Sequence, residues 1–449
     1  MNRGAFYAFC GVLLGGAAAQ LGAYEGGYSG DAVAAARGDP SYDRLSLFSE
    51  VYEKVRSRYV EAPDDEKMMK AAINGMLTSL DPHSNYLDPK SLREFQTSMK
   101  GEEFGGLGLE VMQENGLVKV VSPIDETPAA RAGLLSGDLV IQIDDTKVQG
   151  LTLKEAVDRM RGPAKSSVRL KIQRGVDKET KDFTVVREII RVQSVRSRVE
   201  SGDIGYIRIT QFNQQTYEGV KKALDKFAAD LGHDKLKGYI IDLRNNPGGL
   251  LNQSIEVVNA FVGKGDIVST RGRTADQFQL FSARPGADLS HGKPLVVLIN
   301  GGSASASEIV SGALQDLHRG TLIGTRSFGK GSVQTVLPLG ENGALKLTTA
   351  RYYTPSGRSI QAKGIEPDIR ILEDIPDDLK GKVDSKGEAS LAGHLKNGQD
   401  EKTGSEAYVP PDVTKDKQLI AAVKLLHGEK VEPTAAAEPV KTDDAPKPN

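Results

Sequence analysis

The chain has 449 residues, room for about three domains, and its 39% hydrophobic and 26% charged residues support sizeable cores and exclude a wholly disordered polypeptide. With 58 Lys and Arg against 60 Asp and Glu the net charge is -2, so no global basic field draws the protein to nucleic acid. The single cysteine, Cys10, excludes a disulfide framework and a cysteine nucleophile in a mature core, and the six histidines include no HExxH spacing, which argues against a zinc hydrolase.

Arg3 is the only charge before Glu25, residues 5–19 are apolar and small, and Ala17-x-Ala19 forms a cleavage signature. This pattern predicts a secretory signal over residues 1–24 and an exported mature chain free of cysteine. An uncleaved anchor is the alternative, because residues 4–24 approach the length of a membrane span. Between residues 40 and 100 the apolar spacing is helical: Leu45, Phe48, Tyr52 and Val55 share one face, and Met69, Ile73, Met76 and Leu80 another. Pro63 and Pro82 punctuate these helices. The region reads as one for packing or interaction, with its methionines in a core.

The pattern changes after Lys100. Leu117–Val121, Leu139–Ile143 and Val168–Gln173 read as strands and Leu153–Met160 as a helix. From Arg187 onward β-rich runs at Ile204–Ile209, Gly238–Leu243, Leu295–Asn300 and Thr321–Ile323 alternate with helical stretches at Val220–Ala229, Gln253–Phe261 and Ala306–Leu317, the signature of an α/β domain. Glu373–Val413, charged and glycine-rich, reads as a mobile connection. Asp416–His427 reads as a short helix, and the Pro-rich tail beyond it as disordered.

Chemistry points to the loop after the apolar run Pro294–Asn300. Ser305-x-x-Glu308 is first of all a capping box, in which the serine caps a helix and the glutamate reaches back. The same serine also sits where α/β folds open their sites, at a strand's carboxyl end beside helix amides that suit an oxyanion. It needs a base, and neither His291 nor His318 has a paired acid in a recognisable order. Lys330, flanked by Gly329 and Gly331, is the better candidate if desolvation brings its pKa from about 10.4 toward 7–8, with Gln334 placed to orient the amine. Gly324 to Lys330 also spells GxxxxGK. However, Gly331 stands where a phosphate loop needs Ser or Thr, and the run from Ser332 reads as a strand, which argues against nucleotide binding.

Ser-Ala-Ser-Ala-Ser-Glu-Ile at 303–309, Gly324-Thr-x-Ser-Phe-Gly-Lys-Gly-x-Val-Gln334, Asp242-Leu-Arg-Asn-Asn-Pro-Gly-Gly249 and Asp81-Pro-His-Ser-Asn-Tyr-Leu87 together resemble the carboxyl-terminal processing proteases of the S41 serine peptidase family. The resemblance runs from about residue 40 to 372. It implies Ser305 as nucleophile, Lys330 as general base, Gln334 in support of the lysine, and the Gly249 and Ala306 amides as the oxyanion hole. Ser303 and Ser307 become capping or packing residues, and Arg244 is expected to hold the glycine loop. Phe104-Gly-Gly-Leu-Gly-Leu109 and Ala130-x-Ala132-Gly133-Leu134-x-x-Gly137-Asp138 resemble a PDZ domain, in which Gly106, Leu107 and Gly108 would receive a terminal carboxylate.

The expected architecture is α/β and multidomain. It comprises a helical region at 40–100, a β-rich PDZ domain at 101–187, a catalytic core of crotonase-like ββα type at 188–372, and a mobile segment at 373–449. The implied activity is that of an exported serine endopeptidase with a Ser–Lys mechanism, free of metal and organic cofactor, acting on proteins or peptides chosen by their free C-termini. By resemblance alone, its setting is the periplasm, its substrates are in some relatives delivered by a lipoprotein adaptor, and the helical regions offer a route to a homo-oligomer.

Overall fold

The computed structural model describes residues 40–434 except 101–103, 115, 124–126, 136–137, 152, 175–178, 191–193, 378–383 and 399. The predicted signal segment and most of the predicted disordered tail lie outside the described residues. The chain divides into two compact units, residues 1–71 and 72–449. Within the first, helix Pro40–Arg58 leaves the face of Leu45, Phe48 and Val55 exposed rather than packed. In the second, Met76 is likewise exposed, not a core residue, because its helix Asp65–Thr78 buries only Leu77. Among the described residues no helix is long and apolar enough to cross a membrane.

The second unit contains an antiparallel sheet in the order Leu109–Glu114, Leu117–Pro123, Leu139–Ile143, Ser167–Arg174, Glu179–Val186. Alternating residues Val168, Leu170 and Ile172 turn inward and meet Ala156 and Met160 of helix Leu153–Met160. This period-two burial gives the PDZ-like body its core.

Another sheet, six-stranded, runs Val195–Glu200, Ile204–Ile209, Gly238–Asp242, Leu295–Ile299, Thr321–Gly324, Ile369–Arg370, parallel from the second strand onward. Its central strands are buried on both faces, which is why they read as continuous apolar runs. Ile241 and Val297 face helices Thr216–Lys235, Leu251–Asn259 and Ala306–Asp316. On the opposite face Ile240, Val296 and Leu298 cover Leu419 and Ala422 of helix Lys417–Leu426. A second, mixed-length antiparallel sheet pairs Asn85–Leu87, Ser332–Pro338 and Asp266–Arg271 with the long strand Ala344–Tyr353. The chain is thus α/β and multidomain.

Glu373–Val413, expected to be a mobile connection, makes specific contacts in its described parts. Asp384–Ser385 pairs with Ser405–Glu406, and Glu388 is fully buried. The Glu406 carbonyl accepts from Gly301 N–H (2.8 Å) and Thr325 Oγ1 (2.7 Å), and the Arg326 guanidinium donates to the carbonyls of Lys402, Thr403 and Gly404. Hydrogen bonds, not apolar burial, hold this strap. Its composition therefore resembles that of a linker.

Candidate active site

Three adjacent parallel strands, Gly238–Asp242, Leu295–Ile299 and Thr321–Gly324, each end in a loop at the carboxyl edge of the sheet. The first loop carries Gly248 and Gly249, the second Ser305, and the third Lys330. Such an edge is where open α/β sheets place their sites.

Ser305 stands at the N-cap of helix Ala306–Asp316 with φ 55° and ψ -112°, a left-handed backbone that costs a non-glycine residue about 1–3 kcal/mol. The surroundings hold it there. Ala304 N–H donates to Asn246 O (2.9 Å), Ser303 Oγ to Leu243 O (2.8 Å), and Ser307 Oγ to Asn246 O (2.9 Å). Ser303 and Ser307 are therefore tied to the glycine loop, as packing residues. The capping-box expectation is met: Glu308 accepts the Ser305 N–H at 2.7 Å, and the Ser305 side chain lies over the Glu308 backbone. The Ser305 hydroxyl also stands in hydrogen-bonding reach of the phenol of Tyr352, whose pKa burial pushes up to about 12.

Gly248 and Gly249 lie against this turn. A β-carbon on Gly248 would fall 2.8 Å from Ser305 Cβ and 2.9 Å from Ala306 N, and one on Gly249 would meet Phe212 O at 2.0 Å. No side chain fits at either position. Among the described residues the N–H groups of Gly249 and Ala306 have no acceptor, whereas Gly248 N–H is bound to Asn246 Oδ1. Two unspent amides thus flank Ser305, in keeping with an oxyanion site.

Arg244 does not hold the glycine loop directly. Its guanidinium, 1% exposed, binds Asp242 (2.7 Å) and Asp416 (2.8 and 2.9 Å), the residue that caps the carboxyl-terminal helix at Leu419 N–H. Burial works against the Asp242 carboxylate, yet Arg244 and Arg208 hold it well below the usual carboxylate range. The glycine loop is held instead by Asn246, whose Nδ2 donates to Ile209 O at 2.9 Å.

Lys330 is half-buried, and among the described residues its Nζ has no hydrogen-bond partner. Desolvation, with the like charge of Lys346 behind it, brings its pKa down to about 8, against the opposing pull of Glu388, Glu308 and Asp81. Gln334 does not bond to that amine here. Its Nε2 donates to Ser332 Oγ (2.9 Å) and Thr348 Oγ1 (3.3 Å). The Thr348 hydroxyl itself donates to Asp81 Oδ1 at 3.0 Å and so can only accept from Gln334. That chain turns the Gln334 carbonyl oxygen the other way, as an acceptor.

Sequence reasoning misses several of these groups. Asp81 opens the Asp-Pro-His-Ser motif, and Glu308 reads only as a cap. Lys346, Thr348 and Glu388 carry no local signal at all. In the PDZ-like body, Gly106 ends a short strand, Leu107 is buried in the core, and Gly108 adopts φ 76° against Thr127. The N–H groups of Leu107 and Gly108 have no acceptor among the described residues.

Residues 203–371 match peptidase family S41, residues 119–174 the PDZ domain family, and residues 23–91 the N-terminal domain of the activating protease CtpB. The chain is 56% identical over 392 residues to the carboxy-terminal-processing protease of Bartonella bacilliformis, covering 87% of this chain and 89% of that one. It is 36% identical over 348 residues to the carboxy-terminal processing protease CtpA of Bacillus subtilis, covering 77% and 72%. Among solved structures, the photosystem II D1 C-terminal processing protease is 30% identical and covers 75% of this chain and 95% of that one, with a TM-score of 0.47.

Proposed function

Because the chain belongs to the carboxy-terminal processing proteases of peptidase family S41, we propose that this serine peptidase works by a Ser–Lys mechanism on chains selected by their free C-termini. Neutral Lys330 takes the proton of Ser305 Oγ as the oxygen attacks the scissile carbonyl. The Gly249 and Ala306 amides receive the oxyanion, the lysine returns its proton to the leaving amine, and water resolves the acyl-enzyme. The carrying observation is the environment of Lys330: half-buried, without a hydrogen-bond partner at Nζ among the described residues and held at about 8, it is the base a serine needs near neutral pH. A lysine at its ordinary pKa would be almost wholly protonated there.

The PDZ-like body supplies selection. A terminal carboxylate received by the free N–H groups of Leu107 and Gly108, with Gly106 beside them, makes charge-assisted hydrogen bonds that an internal segment cannot make. Export to the periplasm rests on Arg3, the apolar run and Ala17-x-Ala19. Assembly into oligomers is supported by the exposed Leu45, Phe48 and Val55 of the first helix.

The test is substitution at three serines. Ser305→Ala should abolish cleavage and labelling by a fluorophosphonate, a loss of several orders of magnitude, roughly 10⁴-fold or more. Ser303→Ala and Ser307→Ala should keep labelling and lose about 1 kcal/mol of stability for the missing hydrogen bond. Equal loss of labelling in all three folded variants would refute the assignment of Ser305.

A further inference from the structure

Glu308 does more than cap a helix. Its side chain is fully buried, and its two oxygens accept four hydrogen bonds. Oε2 takes the backbone N–H of Ser305 at 2.7 Å and of Lys330 at 2.9 Å. Oε1 takes Gly329 N–H at 2.7 Å and Ser327 Oγ at 2.5 Å. A capping box requires only the first of these bonds. The other three come from the loop after strand Thr321–Gly324, a different strand from the one that delivers Ser305.

From this geometry we infer that Glu308 is the positioning residue that fixes Ser305 and Lys330 in register with each other. The inference rests on the Ser–Lys reading. One carboxylate oxygen shared by two amides sets the separation of the two backbones more tightly than any other link between the loops. Among the described residues the remaining direct link is Phe328 N–H to Ser303 O at 2.9 Å, two residues removed from Lys330 on one side and from Ser305 on the other. Burial pushes the Glu308 pKa up to about 7, and the four donors pull the other way, toward the carboxylate. Three are backbone amides, which cannot turn into acceptors, and Ser327 Oγ already accepts Ile365 N–H at 2.7 Å, so its own proton is left for Glu308. A protonated carboxyl would bring a fifth hydrogen into a full shell. The charged groups that feel this carboxylate are Lys330 and Arg326.

The decisive variant is Glu308→Gln in the full-length protein. It keeps the volume, but its NH2 must face two donors. A displacement on the order of 1 Å between reacting groups costs up to about 10²-fold, so kcat should fall roughly ten- to hundredfold while KM stays within about twofold. Removing a negative charge that favours the Lys330 ammonium should also move the acid limb of the kcat/KM profile to lower pH. Ser327→Ala, which deletes one donor, should lower kcat a few-fold at constant KM and serves if the glutamine variant melts below the assay temperature. Ser305→Ala separates the two ideas. If it still cleaves, the Ser–Lys reading fails. If it is inactive while folded Glu308→Gln or Ser327→Ala keeps wild-type kcat, the positioning role alone is overturned. That role also fails if KM rises in proportion to the loss, or if the limb of Glu308→Gln stays in place.

Discussion

His83 Nε2 lies 2.9 and 3.0 Å from the two carboxylate oxygens of Glu388, joining residues 305 positions apart in the chain. Glu388 also accepts from Gln361 Nε2 at 3.0 Å, and its own N–H donates to Phe328 O, two residues before Lys330. The carboxyl-terminal strap is therefore part of the wall around the lysine, and it contributes a negative charge that opposes the lysine's loss of its proton.

Lys346 works in the other direction. Burial lowers its own pKa, and whatever charge it keeps pushes Lys330 down. The wild-type kcat/KM profile should rise along a limb near pH 8, where Lys330 loses its proton. Lys346→Gln removes the like charge, so the limb should move to higher pH and activity at pH 7 should fall. A pH–rate profile of both proteins checks the direction.

Lys330 destabilises the fold it serves. Holding it at about 8 rather than 10.5 costs roughly 3 kcal/mol at about 1.4 kcal/mol per tenfold. The folded pKa is depressed, so the unfolded chain binds more protons between the two values. The penalty is complete below about pH 8 and is relieved as pH rises toward 10.5. Lys330→Met should be inactive yet melt no lower than wild type near pH 7. Lys330→Arg should also be inactive, since guanidinium keeps its proton. Thermal melts at pH 7 and pH 10 should show the gap between Lys330→Met and wild type narrowing with pH.

Blocking a substrate's terminal charge should slow cleavage. A peptide with an apolar free C-terminus should lose about tenfold in kcat/KM on amidation, the loss of one charge-assisted contact worth about 1.5 kcal/mol. Gly108→Val should remove the distinction between the two peptides, because a β-carbon there would sit 2.2 Å from Thr127 Cβ. Cleavage rates on paired peptides give the answer.

Arg244 should matter to folding more than any other charge in the core. Arg244→Met leaves Asp416 without its arginine and Asp242 with Arg208 alone as its cation, both carboxylates almost fully buried, and should cost about 3–5 kcal/mol. Denaturant unfolding near pH 7 measures it. The deficit should shrink in acid, where the stranded carboxylates take up protons.

Much of the architecture is legible in the amino acids alone. Leu295–Ile299 reads as a buried strand because both its faces are covered, and helix Leu153–Met160 shows its apolar side at the right period. Ser305 and Lys330 stand out because each sits in a dense local motif. The groups that tune them do not. Asp81 reaches Thr348 across 267 positions, and three of the four donors to Glu308 lie 19 to 22 positions away on another loop. Contacts of that kind leave no periodicity to read. The exposed face of Leu45 and Phe48 fits the interaction alternative rather than packing, a choice the sequence leaves open because an amphipathic period states that a face is apolar but not what covers it.

The two long-range clasps also set an order in time. A chain made from its amino end carries Arg244 through 172 further residues before Asp416 exists, and His83 through 305 before Glu388 does. Until both have been synthesised, Arg244 has only Asp242 of its two carboxylate partners and Lys330 lacks one of its walls. A growing polypeptide therefore carries Ser305 and Lys330 well before it carries the Glu388 and Asp416 carboxylates that complete these clasps.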